Sequence, residues 1–337
     1  MKISTAETSG WEKKLMSNLY DLVVVGGGVA GANCALHAAK GGLRVAILEK
    51  EERLPRYKTC GGGLTFLARK QLPSLPDSIV EFEGFDVDLT FTQQEKSYYV
   101  KREMPVVTMT MRSALDHFVV EQAQEAGAEL RTGVRFTNVT EPSEYLEVET
   151  SEGTLKTRFL VAADGSNSLV ARKTHWQNDP RTLARATEYE VYVSDAELKK
   201  FGSRTRIDFE NVPAGYAWVF PKRDHLSIGL GTFFPSKREK NSNLHKLTDD
   251  YINWLGIKKV EKVERHAAMI PVSPHKGVLA KKGVFLIGDA AGLADPITAE
   301  GISNALLSGR WAAESMLGQN GTPAETLYQQ KLEAELL

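Results

Sequence analysis

The sequence predicts an α/β protein: a parallel-sheet nucleotide-binding domain built from three separated segments, with a mostly antiparallel-sheet domain inserted into it. Three observations predict it. A buried β-branched run, a glycine turn, a helix and a second strand follow one another over residues 20–49, which is a βαβ unit. Buried strand-like runs return far along the chain, at 159–163 and 283–288. Between them, over about 173–278, the pattern changes to short alternating strands and a single helix.

The elements follow in order. Residues 1–18 read as a polar, disordered lead-in. Residues 20–25 are a continuous apolar strand closed by glycines, 30–40 a helix stopped by Gly41 and Gly42, and 44–49 a second strand. A strand at 105–111 leads into a helix over 113–126, with Ser113 as its N-cap and Gly127 as its stop. Residues 129–161 alternate, as in two or three antiparallel strands. The inserted region has strand-like runs at 187–193, 205–209 and 216–232 and a helix near 243–255. A buried strand at 283–288 and a small-residue helix at 300–317 close the chain's pattern. The nucleotide-binding domain then takes 19–75, 104–172 and 279–337, and the inserted domain 76–103 and 173–278.

Composition narrows function. Of 337 residues, 42% are hydrophobic and 25% charged, which excludes disordered, collagen-like and coiled-coil classes. With 42 basic against 43 acidic side chains, the charge is too balanced for a nucleic-acid footprint. Peripheral contact with a membrane through an apolar mouth stays open. Two cysteines, Cys34 and Cys60, form no CxxC pair and suit a reducing compartment; Cys34 lies among small helix residues and reads as packing. Lys13 and Lys14 stand where a signal peptide needs an apolar core, so a cytoplasmic place is expected. The seven histidines show no HExxH spacing, and no metal is expected.

The chemistry starts at Gly26-Gly27-Gly28-Val29-Ala30-Gly31, a GxGxxG between strand and helix. Glycine lets backbone N–H groups approach a pyrophosphate, and the helix opening at Val29 and Ala30 adds its positive dipole. Glu49, followed by Lys50, ends the second strand 23 residues after Gly26, placed to accept from ribose hydroxyls. An acid there disfavours a 2′-phosphate, so FAD or NAD is expected rather than NADP. Asp164-Gly165 and Gly288-Asp289 each put an acid and a glycine turn at the end of a strand, the latter followed by Pro296 and Gly301-Ile302. Singly, such pairs are ordinary turns.

In this order after a GxGxxG, these motifs resemble the FAD fingerprints of the p-hydroxybenzoate hydroxylase-like flavoprotein superfamily, over nearly the whole chain. The resemblance implies FAD, a Rossmann-like FAD-binding domain with an inserted substrate domain, and a flavin-side arginine at Arg112. It also implies that the helix beginning near Glu300 aims its N-terminus at the flavin N1/C2=O edge.

Two segments narrow the family. Pro55-Arg56-Tyr57-Lys58-Thr59-Cys60-Gly61-Gly62-Gly63-Leu64 resembles the basic-then-Cys-Gly-Gly segment of geranylgeranyl reductases. Tyr216-Ala217-Trp218-Val219-Phe220-Pro221, with Gly229 after it, is similar to that family's YxWxFP…G motif. Alternation puts Tyr216, Trp218 and Phe220 on one strand face, where they either pack on a sheet or wall an apolar chain; the resemblance selects the wall. It implies an FAD-dependent reductase that saturates C=C bonds of a polyprenyl chain on a diphosphate, lipid, chlorophyll precursor or quinone. Cys60, Tyr216, Trp218 and Phe220 are then the candidate catalytic and pocket residues. Cys60, flanked by Arg56 and Lys58, is a candidate thiolate or proton donor. Gly61 and Gly62 would let backbone lie against the flavin, with Arg56 and Lys58 near a diphosphate or polar head.

Two alternatives stand beside this one. A flavin-dependent aromatic monooxygenase or halogenase shares the superfamily, although a halogenase would carry WxWxIP where this chain has YAWVFP. A non-catalytic flavin redox carrier would bind FAD and turn over no lipid. With one GxGxxG, the reductant is NADPH docking transiently or a ferredoxin-like donor. Family members usually run well past a helix starting near Glu325, whereas this sequence ends at Leu337. That departure implies either an open substrate site or a shortened chain.

Overall fold

A computed structural model describes residues 19–142, 144–177, 179, 181–202, 204–233 and 242–337; the expected lead-in over 1–18 lies outside them. The fold is mixed α/β. Its first sheet has five parallel strands in the order Val284–Leu286, Gly153–Ala162, Leu19–Val25, Val45–Glu49, Glu129–Thr132. Their registers align the carboxyl ends: Ala162 pairs with Val25 and Leu286, and Val25 with Leu48. Gly26, Glu49, Asp164 and Gly288 therefore emerge along one sheet edge, where open α/β sheets bind ligands.

Helices Val29–Lys40 and Ile302–Leu317 cross tightly over this sheet because small residues meet there. A Cβ on Gly309 would lie 2.4 Å from the Ala30 carbonyl oxygen, and Asn33 Nδ2 donates to the Leu306 carbonyl at 2.7 Å. Cys34 is fully buried in this crossing, where desolvation pushes its thiol up to about 12. It packs, as expected.

Two local expectations are corrected. The stretch 129–161 forms four strands, and the first and last run parallel to Val45–Glu49 and Leu19–Val25. The cause is the strand Gly153–Ala162, whose final residues Phe159–Ala162 are all buried inside the central sheet while its start alternates at the surface. The helix expected over 113–126 runs Arg112–Glu125, and its N-cap is Met111, not Ser113. Arg112 enters the first turn so that its guanidinium reaches Asp116 one turn on.

The second sheet has seven strands in the order Val260–Pro271, Leu183–Val193, Leu226–Thr232, Gly215–Pro221, Thr205–Phe209, Asp86–Phe91, Lys96–Lys101. The run 216–232 is thus a hairpin, closed where the Lys222 N–H meets the His225 carbonyl at 2.9 Å. One face of this sheet is apolar, with Tyr189, Val191, Val219, Ile228 and Leu230 packing under helix Leu244–Leu255. The opposite face carries Tyr216, Trp218, Phe220 and Glu188. A small sheet, Gly63–Thr65, Val107–Thr110 and Val80–Gly84, takes in the end of the Cys60 segment.

Candidate functional site

The glycine turn separates two demands. Gly26 has φ +109° with a Cβ position 2.4 Å from the Ala163 carbonyl oxygen, and a Cβ on Gly31 would lie 2.1 Å from the Gly26 carbonyl. Both glycines are required by the chain's own packing. Gly28 is different. It caps helix Val29–Lys40 with no side-chain bond, and its Cβ position is clear to 3.5 Å, facing Arg56 and Asp116. Glu49 is buried behind it, accepting from the N–H groups of Gly27 and Glu51, each at 3.1 Å, and from Arg56 Nε at 3.2 Å. Lys50 points outward, ion-paired to Glu51 at 3.8 Å.

Farther along the edge, Asp164 Oδ2 accepts from the Leu169 and Val170 N–H groups at 2.7 and 3.2 Å, while its buried Oδ1 has no partner among the described residues. Burial raises its pKa. Gly165, at φ +82°, borders open space. Gly288, at φ +51°, turns the chain so that Asp289 Oδ2 meets Lys58 Nζ at 3.3 Å. Burial opposes the Asp289 charge, but Lys58, Arg112 and Arg181 outweigh it and hold the carboxyl below its usual range. Pro296 belongs to a turn held by Asp295 Oδ1, which accepts from the Ile297 and Thr298 N–H groups. The helix beyond begins at Ile302 rather than 300; Gly301 gives it no side-chain cap, and Glu300 accepts the Ser303 N–H at 2.9 Å. An open glycine at an uncapped helix terminus and an orphaned carboxylate oxygen fit a bound dinucleotide such as FAD.

The Cys60 segment packs between this edge and the second sheet. A Cβ on Gly61 would lie 2.8 Å from the Phe220 ring, and one on Gly62, at φ +68°, would lie 1.9 Å from the Thr110 carbonyl. These glycines are demanded by internal packing. Cys60 Sγ accepts the Gly62 N–H at 3.4 Å. Arg112 is buried and holds Asp116 with two bonds, 2.8 and 3.1 Å. Burial works against its charge, yet Asp116 and Cys60 raise its pKa overall.

Tyr216, Trp218 and Phe220 form one row, with ring centroids 6.0 and 5.9 Å apart. Trp218 lies over Gly229, is 8% exposed, and its Nε1 has no partner among the described residues. The Tyr216 hydroxyl donates to the Thr298 carbonyl, which ties the row to the Pro296 turn. Arg56 and Lys58, expected near a diphosphate or polar head, pair with acids of the sheet edge. Arg56 lies between the buried acids Glu49 and Asp116, 3.4 Å from the latter, which need a cation, and Lys58 lies on the partly buried Asp289.

Several site groups were missed. Arg181 donates to the carbonyls of Asp289, Ala290 and Ser166 at 2.9, 3.4 and 2.5 Å, clamping the two acid–glycine loops together. Lys222 is buried and donates to the Gly61 and Thr110 carbonyls, each at 2.8 Å. Burial lowers its pKa to about 8, against the pull of Cys60 and Glu188. Glu188 lies on the aromatic row's face, hydrogen-bonded by Ser227 at 2.8 Å and Tyr57 at 3.1 Å. One signal was available for it: Glu188 and Glu190 alternate with Tyr189 and Val191 in a strand too apolar to sit at a surface.

The described residues hold no cluster of ligands fit for a metal and no helix long and apolar enough to cross a membrane. The FAD binding domain family matches residues 21–189, half of the chain. Digeranylgeranylglycerophospholipid reductase 2 of Methanothermobacter thermautotrophicus is 31% identical over 328 residues, covering 88% of this chain and 78% of that protein. The chain belongs to the geranylgeranyl reductase family. A second relative, geranylgeranyl diphosphate reductase of Rhodobacter capsulatus, is 30% identical, covering 91% of this chain and 78% of its own. The fold of this family member is shared with a geranylgeranyl bacteriochlorophyll reductase-like protein of Thermoplasma acidophilum: TM-score 0.81, 24% identity, covering 95% of this chain and 84% of that one.

Proposed function

We propose that this member of the geranylgeranyl reductase family is an FAD-dependent reductase that saturates C=C bonds of a polyprenyl chain. One observation carries the reading: the aromatic row Tyr216–Trp218–Phe220 and the Cys60 loop pack on one another beside the sheet edge that bears the FAD fingerprints. We take 19–75, 104–172 and 279–337 as the FAD-binding domain and 76–103 and 173–278 as the substrate domain.

Gly28 and the N-terminus of helix Val29–Lys40 would hold the pyrophosphate, Glu49 the ribose, and Asp164 and Asp289 the neighbouring hydroxyls. Arg112 would lie on the flavin side. Bound FAD, once reduced, supplies hydride. The chain's own part is to exclude water and orient the prenyl chain, for which a row of aromatic faces is suited. Cys60 would line this pocket. The relatives' names carry two of the candidate prenyl carriers, a glycerophospholipid and a diphosphate; a chlorophyll precursor or a quinone would be the others. NADPH or a ferredoxin-like protein would be the reductant. Phe66 and Leu67 are exposed, and Ile297 is 80% exposed. Thr65, just before this pair, touches Ser303 at 2.8 Å, near the Pro296 turn. Such a rim suits a cytoplasmic protein drawing its substrate from a membrane surface.

The test is anaerobic. Flavin-loaded protein, reduced under nitrogen and mixed with geranylgeranyl diphosphate or a geranylgeranylated lipid, should recover oxidised-flavin absorbance without oxygen. Flavin that stays reduced with every prenyl carrier until oxygen is admitted would favour the oxygen-using or carrier alternatives.

A further inference from the structure

The sheet face that bears the aromatic row also bears a buried acid, Glu188. Across the second sheet Trp218 pairs with Gly229, Gly229 with Glu188, and Glu188 with His266. Directly paired residues share a face. Gly229 adds no side chain, so the Trp218 indole and the Glu188 carboxyl are the next neighbours in one row. The following row repeats the arrangement with Phe220, Ser227, Glu190 and Glu264.

Glu188 is 3% exposed, and the partners of its oxygens are two hydroxyls, Ser227 on Oε1 and Tyr57 on Oε2. Burial away from water is what favours the protonated form of this carboxyl. Burial lifts its pKa to about 7; Glu190 pushes the same way, while the Ser227 hydroxyl, Lys222 and the Tyr57 hydroxyl pull it down. His266 faces it from the next strand. Tyr57 connects this acid to the outside: it is 44% exposed, its ring lies tilted 4.3 Å from that of His266, and it stands three residues before Cys60.

We propose that Glu188 is the proton donor for alkene reduction and that Tyr57 returns its proton from solvent. The proposal rests on the prenyl-reductase reading. An isolated alkene is a poor hydride acceptor, so a positioned acid in a dry site must contribute to the rate. The step balances. The alkene π bond opens, hydride from reduced FAD forms one C–H bond, and the Glu188 proton forms the other. The flavin loses two electrons and the alkene gains them. Glu188 is left as a carboxylate until Tyr57 passes a proton inward and takes one from water.

The experiment compares flavin-loaded wild type, E188Q and Y57F in anaerobic single turnovers with geranylgeranyl diphosphate, and adds infrared spectra of the FAD-free proteins. Wild-type flavin reoxidation should slow as pH rises through about 7, roughly tenfold per unit once the acid is ionised. E188Q should retain flavin and reoxidise it about 100-fold or more slowly. FAD-free wild type should show a protonated-carboxyl C=O stretch at pH 6 that fades by pH 8, and E188Q should lack it. Y57F should keep that stretch at a shifted frequency and slow repeated turnovers more than the first. Turnover in E188Q at the wild-type rate, or no stretch that E188Q removes, overturns the role of Glu188. Should E188Q fail to hold flavin, the wild-type stretch and Y57F decide, and unchanged steady-state turnover in Y57F overturns the relay. A flavin-loaded wild type that reduces no prenyl carrier overturns the functional reading and this role with it.

Discussion

Gly28→Val tests the cradle because the structure separates its effect on FAD from its effect on the fold. Gly28 sits at φ −77° and ψ 175°, extended backbone that valine favours. A Cβ there would stand 3.5 Å from Arg56 Nη2 and 3.7 Å from Asp116 Oδ2, ordinary contact distances. The FAD-free variant should therefore unfold within about 1 kcal/mol of wild type, the scale of a changed helix cap. FAD must lose the close approach of the turn's N–H groups to its pyrophosphate. Two charge-assisted bonds at about 1.5–3 kcal/mol each correspond to a loss of roughly 10²- to 10⁴-fold in affinity. Gly31→Val is the contrast: its Cβ would lie 2.1 Å from the Gly26 carbonyl, so the fold itself should fail. Flavin-fluorescence titration and thermal unfolding of the FAD-free proteins give both quantities. FAD affinity in Gly28→Val within threefold of wild type would refute the reasoning.

Other perturbations carry their own signs. Arg181→Met removes three carbonyl contacts between the acid–glycine loops and should weaken FAD binding by tenfold or more in the same titration. Trp218→Ala, at a nearly buried position, should cost about 3–5 kcal/mol on unfolding. Trp218→Phe should keep FAD and lower kcat/KM for the prenyl substrate; an unchanged kcat/KM would return the row to plain packing. The folded pKa of Glu188 is raised from 4.5 to about 7, so the native state binds more protons than the unfolded chain between those values. Its contribution to stability is present below pH 4.5 and is lost as pH rises to about 7, roughly 3 kcal/mol in all. Denaturant melts across that window should show the loss in wild type and a flatter profile in Glu188→Gln.

What was legible in the sequence is what backbone geometry enforces locally. Gly26, Gly31 and Glu49 are readable because a strand–turn–helix and a strand end admit few residues there. The aromatic spacing of Tyr216, Trp218 and Phe220 is readable because a strand has period two. What was not legible is the pairing of distant polar groups. Arg181 meets Ser166 and Asp289, Lys222 meets Gly61 and Thr110, and Tyr57 meets Glu188 only after strands far apart in the chain come into register. Arg56 and Lys58 were read beside their sequence neighbour Cys60, whereas the acids Glu49, Asp116 and Asp289 draw them to the sheet edge. Ser113 looked like a cap because its residue type caps helices; the partner one turn after Arg112 moved the boundary.

The most direct measurement is the mass of the prenyl product. Flavin-loaded protein, held reduced under nitrogen, is incubated with geranylgeranyl diphosphate and with a geranylgeranylated glycerolipid. Two hydrogens gained per reduced bond on at least one of them, with oxygen absent, is the predicted result. Prenyl chains of unaltered mass beside fully loaded, reduced flavin would contradict the account.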